Sequence, residues 1–167
     1  VALFSFLNIT MAAAVQRYLS HAMGANKQER VHEVFYMSVV IHLGIALIVA
    51  ALLLILGIYA IDNMLDIPIS YHYSAKLVLL CMTVGMCAVV NSVSYEAAMN
   101  AHEDIVVIAA INIVEALLKL GAAVLVLLID ECGIVSYAFF FLLAQIVAFV
   151  AKFFYCRYHY DEAHFRF

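Results

Sequence analysis

Long, almost unbroken apolar runs alternate with short polar connections along this chain. A helix needs about 20 mostly apolar residues to cross a bilayer, and four runs reach that length, at about 34–61, 73–95, 105–129 and 133–155. A fifth run, 1–16, is shorter. The four long runs are too long and too continuously apolar for the alternating strands of about ten residues that build membrane β-barrels. The pattern therefore predicts an all-α, polytopic transmembrane helix bundle with four full spans and a partial first one.

The composition indicates that most of the apolar surface of this chain faces a lipid bilayer rather than water. Of the 167 residues, 68% are hydrophobic and 12% are charged, whereas soluble domains average about 45–50% apolar and about 25% charged residues. A chain of this size cannot hide so much apolar surface in one water-soluble core, so membrane lipids are its first predicted partner. The net charge is −4 and there is no basic run, which argues against nucleic acid as a partner.

The distribution of Lys and Arg predicts the orientation of the spans, because short cytoplasmic loops carry an excess of these residues. Most of them lie in the polar stretch 17–33 or near the C-terminal end: Arg17, Lys27, Arg30, Lys152, Arg157 and Arg166. The connections on the opposite side carry acidic charges, although one lysine lies just inside the third run. We therefore place the segments 17–33 and 96–104 and the tail after 155 in the cytoplasm. Asn26 and Glu29 have the spacing of a capping box, which predicts that the second helix opens there.

The fourth run, "INIVEALLKLGAAVLVLL", contains two charged residues. Asn112, Glu115 and Lys119 fall with Ala116 and Ala123 within about 100° of arc on a helical wheel. A charge at the bilayer centre costs about 2.5–3.5 kcal/mol and almost always faces a bundle interior or a wet cavity. Glu115 and Lys119 have the i,i+4 order that favours an ion pair. Two interpretations stay open: a structural pair, or a substrate or ion path in which Glu115 is a protonatable group.

Other spans also carry polar faces. Five side chains of the third run share one face: Lys76, Thr83, Cys87, Asn91 and Ser94. Bonding between helices is favoured for that face over the lining of a cavity. Ser38 and His42 share a face of the second run, where packing is favoured over proton relay. Gln145 and Lys152 share a face of the fifth run, and Lys152 is expected to extend to the interface.

No motif of a nucleotide-binding loop, a zinc protease or a serine hydrolase occurs. The tail "CRYHYDEAH" gathers Cys, His, Asp and Glu, but its spacing matches no standard zinc pattern. A juxtamembrane interfacial segment is the favoured interpretation of this tail. The sequence therefore predicts no metal and no cofactor, apart from coupling to H⁺ or Na⁺.

Two stretches carry a family resemblance. "QRYLSHAMGANKQERVHEVF", and "NSVSYEAAMNAHEDI" leading into "INIVEALLKL", resemble the polysaccharide-biosynthesis flippases, which are relatives of the MATE exporters in the MOP transporter superfamily. The chain departs from that pattern at Ser94, where Pro is common before the Tyr, and at Asp104, where a basic residue often follows "AHE". The chain starts inside an apolar run without an initiator Met. We therefore expect a segment of a longer protein, and the resemblance assigns it helices two to six, in the N-terminal lobe of a two-lobe transporter.

The resemblance implies transport rather than catalysis. Such flippases move a lipid-linked oligosaccharide of the polyprenyl diphosphate type across the bacterial cytoplasmic membrane, by alternating access, for polysaccharide or O-antigen synthesis. Lys119, with Lys76, would contact the diphosphate or acidic sugars as a point charge, and Glu115 would tune Lys119 or take part in ion coupling. The remaining helices of the full-length chain would be partners. The candidate path residues are Glu115, Lys119, Asn112, Lys76, Asn91, Thr83, His42 and Gln145.

Three alternatives stay open. One is a cation-coupled multidrug exporter of the MATE type, in which Glu115 would bind Na⁺ or H⁺. Because Glu115 is the only carboxylate near a membrane centre and already has a cationic neighbour, the flippase is favoured. The second is a membrane-embedded transferase that uses His102, Glu103 and Asp104. The third is a non-catalytic membrane subunit.

Overall fold

The computed structural model describes residues 2–128 and 133–163. Five long helices make up this part of the chain: α1 (Ala2–Gly24), α2 (Gln28–Asn63), α3 (His72–Ala101), α4 (Ile105–Leu128) and α5 (Ile134–His159). Two short 3-10 helices, Ile69–Tyr71 and Asp161–Ala163, precede α3 and follow α5. The described residues contain no strand, and α2 to α5 are long and apolar enough to cross a membrane. The predicted all-α polytopic bundle is confirmed.

The helices run past the apolar spans that the sequence outlines. The 36 residues of α2 extend about 54 Å at 1.5 Å per residue, whereas the hydrocarbon core is about 30 Å thick. The stretch 17–33, expected as a long polar connection in which the second helix opens near Asn26 and Glu29, is helical except for the turn 25–27. The second helix does open there, at Gln28. Residues 96–101 likewise continue α3. Hydropathy marks where the hydrocarbon ends and not where a helix ends, because a helix keeps its backbone hydrogen bonds in water as well.

The turn between α1 and α2 is closed by backbone hydrogen bonds. The Asn26 N–H donates to the Met23 carbonyl at 2.9 Å, and the Lys27 N–H donates to the Ala22 carbonyl at 3.3 Å. With a φ of 56° at Asn26, these bonds form a Schellman motif that ends α1. The capping-box prediction for Asn26 and Glu29 is therefore wrong. Lys27 stands at the N-cap of α2 and makes no side-chain capping bond.

The turn between α3 and α4 has the same construction. Glu103 takes the left-handed position with a φ of 63°. Its N–H donates to the Asn100 carbonyl at 3.2 Å, and the Asp104 N–H donates to the Met99 carbonyl at 2.9 Å. The Asp104 carbonyl then accepts the Val107 N–H at 3.1 Å and opens α4. Three residues are therefore enough to reverse the chain direction between these helices.

The buried core lies at the end of the bundle that holds these two turns, which we call the turn end. A cluster of buried side chains there comprises Leu19, Ala22, Val31, Phe35, Tyr95, Ala98, Met99, Ile108, Cys156, Tyr160 and Ala163. The rings of Phe35, Phe149 and Phe153 surround Tyr95 edge-on, with centroids 5.6–5.9 Å away. The cluster joins the last turns of α1, α3 and α5 to the first turns of α2 and α4. The connections predicted to share one side of the membrane thus meet at one end of the bundle.

Candidate functional site

A polar cleft of about 140 Å³ opens between α1, α3, α4 and α5. Its polar lining residues are Ser92, Glu96, Glu115, Gln145 and Lys152. Small or apolar side chains complete the lining: Ile9, Ala12, Ala88, Val89, Val93, Ala148 and Phe149. α3 and α5, which pack against each other, form its floor, and in the described part of the chain α1 and α4 do not contact one another. The cleft therefore has polar groups on its floor and a gap between α1 and α4 at its side.

One charged pair joins the two floor helices. The Lys152 ammonium on α5 donates to Glu96 Oε2 on α3 at 2.9 Å. The Lys152 side chain is 5% exposed and the Glu96 side chain is 31% exposed, so the carboxylate lies between the ammonium and the open cleft. A buried ammonium is tolerated where it is paired and hydrogen-bonded. The expectation that Lys152 extends to the interface is wrong, because Glu96 holds it inside the bundle.

The second charged pair lies within α4. The Lys119 ammonium donates to Glu115 Oε1 at 2.6 Å, as the i,i+4 spacing predicts. It also lies 4.6 Å from the centroid of the Phe141 ring on α5, which is within cation–π range. Glu115 lines the cleft and Lys119 does not. The Lys119 charge is thus held against α5, and of this pair Glu115 is the member that faces the cleft.

The position of the Gln145 side chain depends on the close approach of α3 and α5. A Cβ atom on Gly85 would overlap Gln145 Oε1 and would lie 3.1 Å from its Cδ. The glycine therefore leaves room for the amide in its present position against the α3 backbone, and Gln145 lines the cleft. Gln145 and Glu115 come from separate helices, and both were predicted to belong to a substrate or ion path.

The comparisons with known proteins give one match. The family model MatE matches residues 1–125. This chain belongs to the MatE family. The match covers α1 to α3 and most of α4, and the family consists of membrane transporters of the MOP superfamily rather than enzymes. The searches of curated proteins and of solved structures find no match.

Membership in the MatE family confirms the coarser part of the resemblance, a multi-pass membrane transporter. It leaves no support for the transferase alternative. His102 and Asp104 do not line the cleft, and instead bind Glu162 and two tyrosine hydroxyls at the turn end. In this MatE chain the charged and amide groups of the cleft are therefore the candidates for transport chemistry.

The other candidate path residues lie elsewhere in this MatE chain. Thr83 and Asn91 donate to carbonyls one turn back in α3, at 2.8 Å each. Lys76 binds Asp62 at 2.8 Å, at the end of the bundle opposite the turn end. Asn112 is exposed on α4, outside the lining of the cleft. The structure brings these four side chains neither to the cleft nor to one another.

His42 belongs to a small polar network between α2 and α3. Its Nδ1–H donates to the Ser38 carbonyl at 2.7 Å, and Ser94 Oγ lies 2.8 Å from Ser38 Oγ and 3.1 Å from His42 Nδ1. The His42 side chain is buried, and its Nε2 has no hydrogen-bond partner among the described residues. The polar face of the third run therefore turns toward α2, in keeping with the prediction of bonding between helices.

The cleft contains one charged pair that sequence reasoning missed. Glu96 was assigned to the connection 96–104, because the apolar run stops near Tyr95. One signal was present in the sequence: Val89, Ser92 and Glu96 follow one another at helical spacing on a single face. Continuing the helix to residue 101 would have placed the Glu96 carboxylate on the same face as Ser92.

Proposed function

We propose that this chain forms part of a flippase that moves a lipid-linked oligosaccharide across the membrane by alternating access, and that the cleft is part of its path. The observation that carries the proposal is a cleft that places charged and amide groups of the membrane helices α3, α4 and α5 together, with a gap at its side between α1 and α4. A polyprenyl diphosphate cargo has a polar head and a long apolar tail. Such a gap lets the head follow the polar groups of the floor while the tail stays in lipid.

Lys152 is the lysine of the cleft that suits an anionic head group. Its ammonium is bound to Glu96, so a diphosphate would have to compete with that carboxylate. Protonation of Glu96, or Na⁺ binding to it, would weaken the pair and make the ammonium available. On this proposal, coupling to H⁺ or Na⁺ would act through Glu96. Lys119, the lysine that the resemblance favours, would act through Glu115 instead.

The test is flipping by the full-length protein in proteoliposomes that contain a polyprenyl diphosphate oligosaccharide. The readout is the fraction of sugar that becomes accessible to a membrane-impermeant oxidant outside the vesicles. We expect the protein to accelerate exposure and Lys152→Ala to lower the initial rate by about tenfold, the factor expected for losing one charge-assisted hydrogen bond. Lys27→Ala, in the exposed turn 25–27, is the matched control. An exposure rate no faster than that of empty liposomes would overturn the proposal.

A MATE-type exporter of cationic compounds is the second candidate, and one observation favours it. Two carboxylates, Glu96 and Glu115, line the cleft, whereas Lys119 does not. Efflux of a cationic dye driven by a proton or sodium gradient tests it. Dye efflux that Glu96→Gln or Glu115→Gln abolishes, together with unchanged distribution of the lipid-linked oligosaccharide, would favour the exporter over the flippase.

A further inference from the structure

Residues 160–163, which follow α5, pack over the turn end of the bundle. Tyr160, Glu162 and Ala163 are 5%, 8% and 5% exposed. Ala163 belongs to the same buried cluster as Val31 and Phe35 of α2. The 3-10 helix Asp161–Ala163 thus packs against the bundle at the point where α2 begins.

Glu162 and Tyr160 hold the turn between α3 and α4 through His102. The His102 Nε2–H donates to Glu162 Oε1 at 2.5 Å, and Glu162 is almost fully buried. The His102 ring also stacks on the Tyr160 ring, with centroids 3.9 Å apart and planes 4° from parallel. A single turn residue is therefore fixed by two side chains of the segment 160–163.

Asp104, the residue that opens α4, receives two tyrosine hydroxyls. The Tyr155 hydroxyl donates to Asp104 Oδ2 at 3.2 Å, and the Tyr160 hydroxyl donates to the same oxygen. Burial raises the pKa of Tyr160, and the bond to Asp104 together with the charge of that carboxylate raises it further. The hydroxyl therefore keeps its proton and stays a donor to Asp104.

These contacts tie together the three helices that carry the charged groups of the cleft. Glu96 lies six residues before His102 (96 to 102), and Lys152 lies eight residues before Tyr160 (152 to 160). These separations correspond to about 9 Å and 12 Å along a helix. Phe149 connects the two regions, because it lines the cleft and also packs against the buried cluster. Phe149 and, beyond it, these bonds therefore lie between the cleft and the turn end.

We propose that His102, Asp104, Tyr155, Tyr160 and Glu162 form a latch that closes the turn end of the cleft and opens in the opposite conformation of the transport cycle. The latch rests on the proposed transport by alternating access, because a cleft that opens to each side in turn needs a closure at each end. Separation of α5 from the α3–α4 turn would break the Glu162 bond and both bonds to Asp104. These side chains act on the path by positioning helices and do not themselves contact cargo.

The test measures access to the cleft and needs no cargo. Ser92→Cys places a thiol in the cleft of full-length protein whose native cysteines, Cys132 among them, are replaced by serine. A charged, membrane-impermeant maleimide is then added to either face in inverted or right-side-out vesicles. In this background Glu162→Gln removes the charge from the bond to His102, and Tyr160→Phe removes one bond to Asp104. Together they should raise the labelling rate from the turn end by about tenfold, as expected when interactions that favour the closed state are weakened. The rate from the opposite face should fall or stay the same. The exposed Glu33→Gln is the matched control.

Two results would overturn the latch. If the labelling rate rose equally from both faces, the bundle as a whole would have loosened. If the labelling rate of folded protein stayed unchanged, these bonds would not control access to the cleft. A second variant closes the latch instead: His102→Cys with Glu162→Cys, bridged by a short, reducible bifunctional thiol reagent. Bridging should suppress labelling from the turn end, and a reductant should restore it. Labelling does not depend on the cargo, so failure of the latch and failure of the flippase proposal remain separate outcomes.

Discussion

The two charged pairs that contribute residues to the cleft differ in which partner is buried. In the pair between α3 and α5 the ammonium is buried and the carboxylate is partly exposed, whereas both partners of the pair within α4 are partly exposed. Loss of one partner is costly when the group left behind cannot reach water. The burial of each side chain therefore predicts which substitution destabilises the bundle and which one acts on transport.

Glu96→Ala should destabilise the protein more than Lys152→Met. The first change leaves the Lys152 ammonium buried without a partner, for which about 3 kcal/mol of destabilisation is expected. The second replaces the lysine with an apolar chain of similar length and leaves a carboxylate that water can reach, so a loss of about 1 kcal/mol or less is expected. Thermal unfolding of the full-length protein in detergent measures both, with the exposed Glu33→Ala as control. Equal losses would contradict this account of the pair.

Glu115→Gln should impair transport more than Lys119→Met. The Glu115 carboxylate lines the cleft, while the Lys119 ammonium is held between that carboxylate and the Phe141 ring. We expect about a tenfold lower transport rate for the first change and less than about threefold for the second. Initial rates in proteoliposomes, corrected for the amount of folded protein, provide the measurement. If Lys119→Met lowered the transport rate more than Glu115→Gln, the result would favour direct contact between Lys119 and the cargo.

At the scale of the helix, α3 presents two polar faces with different partners. Ser94 binds Ser38 of α2, and Cys87 donates to the Ala46 carbonyl of α2 at 3.7 Å. The other face, with Glu96, lines the cleft. α3 can serve both faces because small residues such as Gly85 let α5 approach its backbone closely, which is a common way for membrane helices to pack.

Gly85→Ala should loosen the contact between α3 and α5. The added methyl group overlaps the far end of the flexible Gln145 side chain. Because the amide can move aside, we expect a cost at the low end of the range of about 1–3 kcal/mol that overpacking causes. Gln145→Ala should recover most of that loss, since it removes the overlapping atoms. Gly44→Ala is the matched control, because a Cβ there meets nothing within 4 Å and alanine favours a helix over glycine by about 1 kcal/mol. Thermal unfolding of the four variants, the double mutant included, decides whether the clash is the cause.

The features that could be predicted from the sequence are those that depend on residues close together in the chain. Apolar run length predicted the membrane helices, and i,i+4 spacing predicted the Glu115–Lys119 pair. The pair between Glu96 and Lys152 joins residues 56 positions apart, so no local pattern contains it. The polar face of the third run was recognised, but the sequence alone could not show that this face contacts α2. That contact depends on how the helices pack, and the same packing leaves the opposite face of α3 to line the cleft.

At the scale of the whole molecule, the two ends of the bundle are held in different ways. The turn end contains the buried cluster and the latch. At the other end, Asp62 at the end of α2 binds Lys76 of α3, and His72 Nδ1 lies 3.5 Å from the same carboxylate. This second contact is exposed, so water and salt weaken it. We therefore expect the turn end to resist separation of the helices more strongly than the other end.

The orientation predicted from the Lys and Arg residues can be measured on the same molecule. Because both turns of the turn end are exposed at their tips, Lys27→Cys and Glu103→Cys should react with an impermeant maleimide added to the cytoplasmic face and not from outside. Asp66→Cys, between α2 and α3, should show the opposite pattern. Cys132 is replaced by serine in the parent chain, and the other three cysteines set the background: Cys156 is fully buried, and Cys81 and Cys87 are partly buried within α3. Labelling of Lys27→Cys and Asp66→Cys from the same face would contradict a membrane crossing by α2, and reversed labelling of both would invert the orientation while leaving the fold intact.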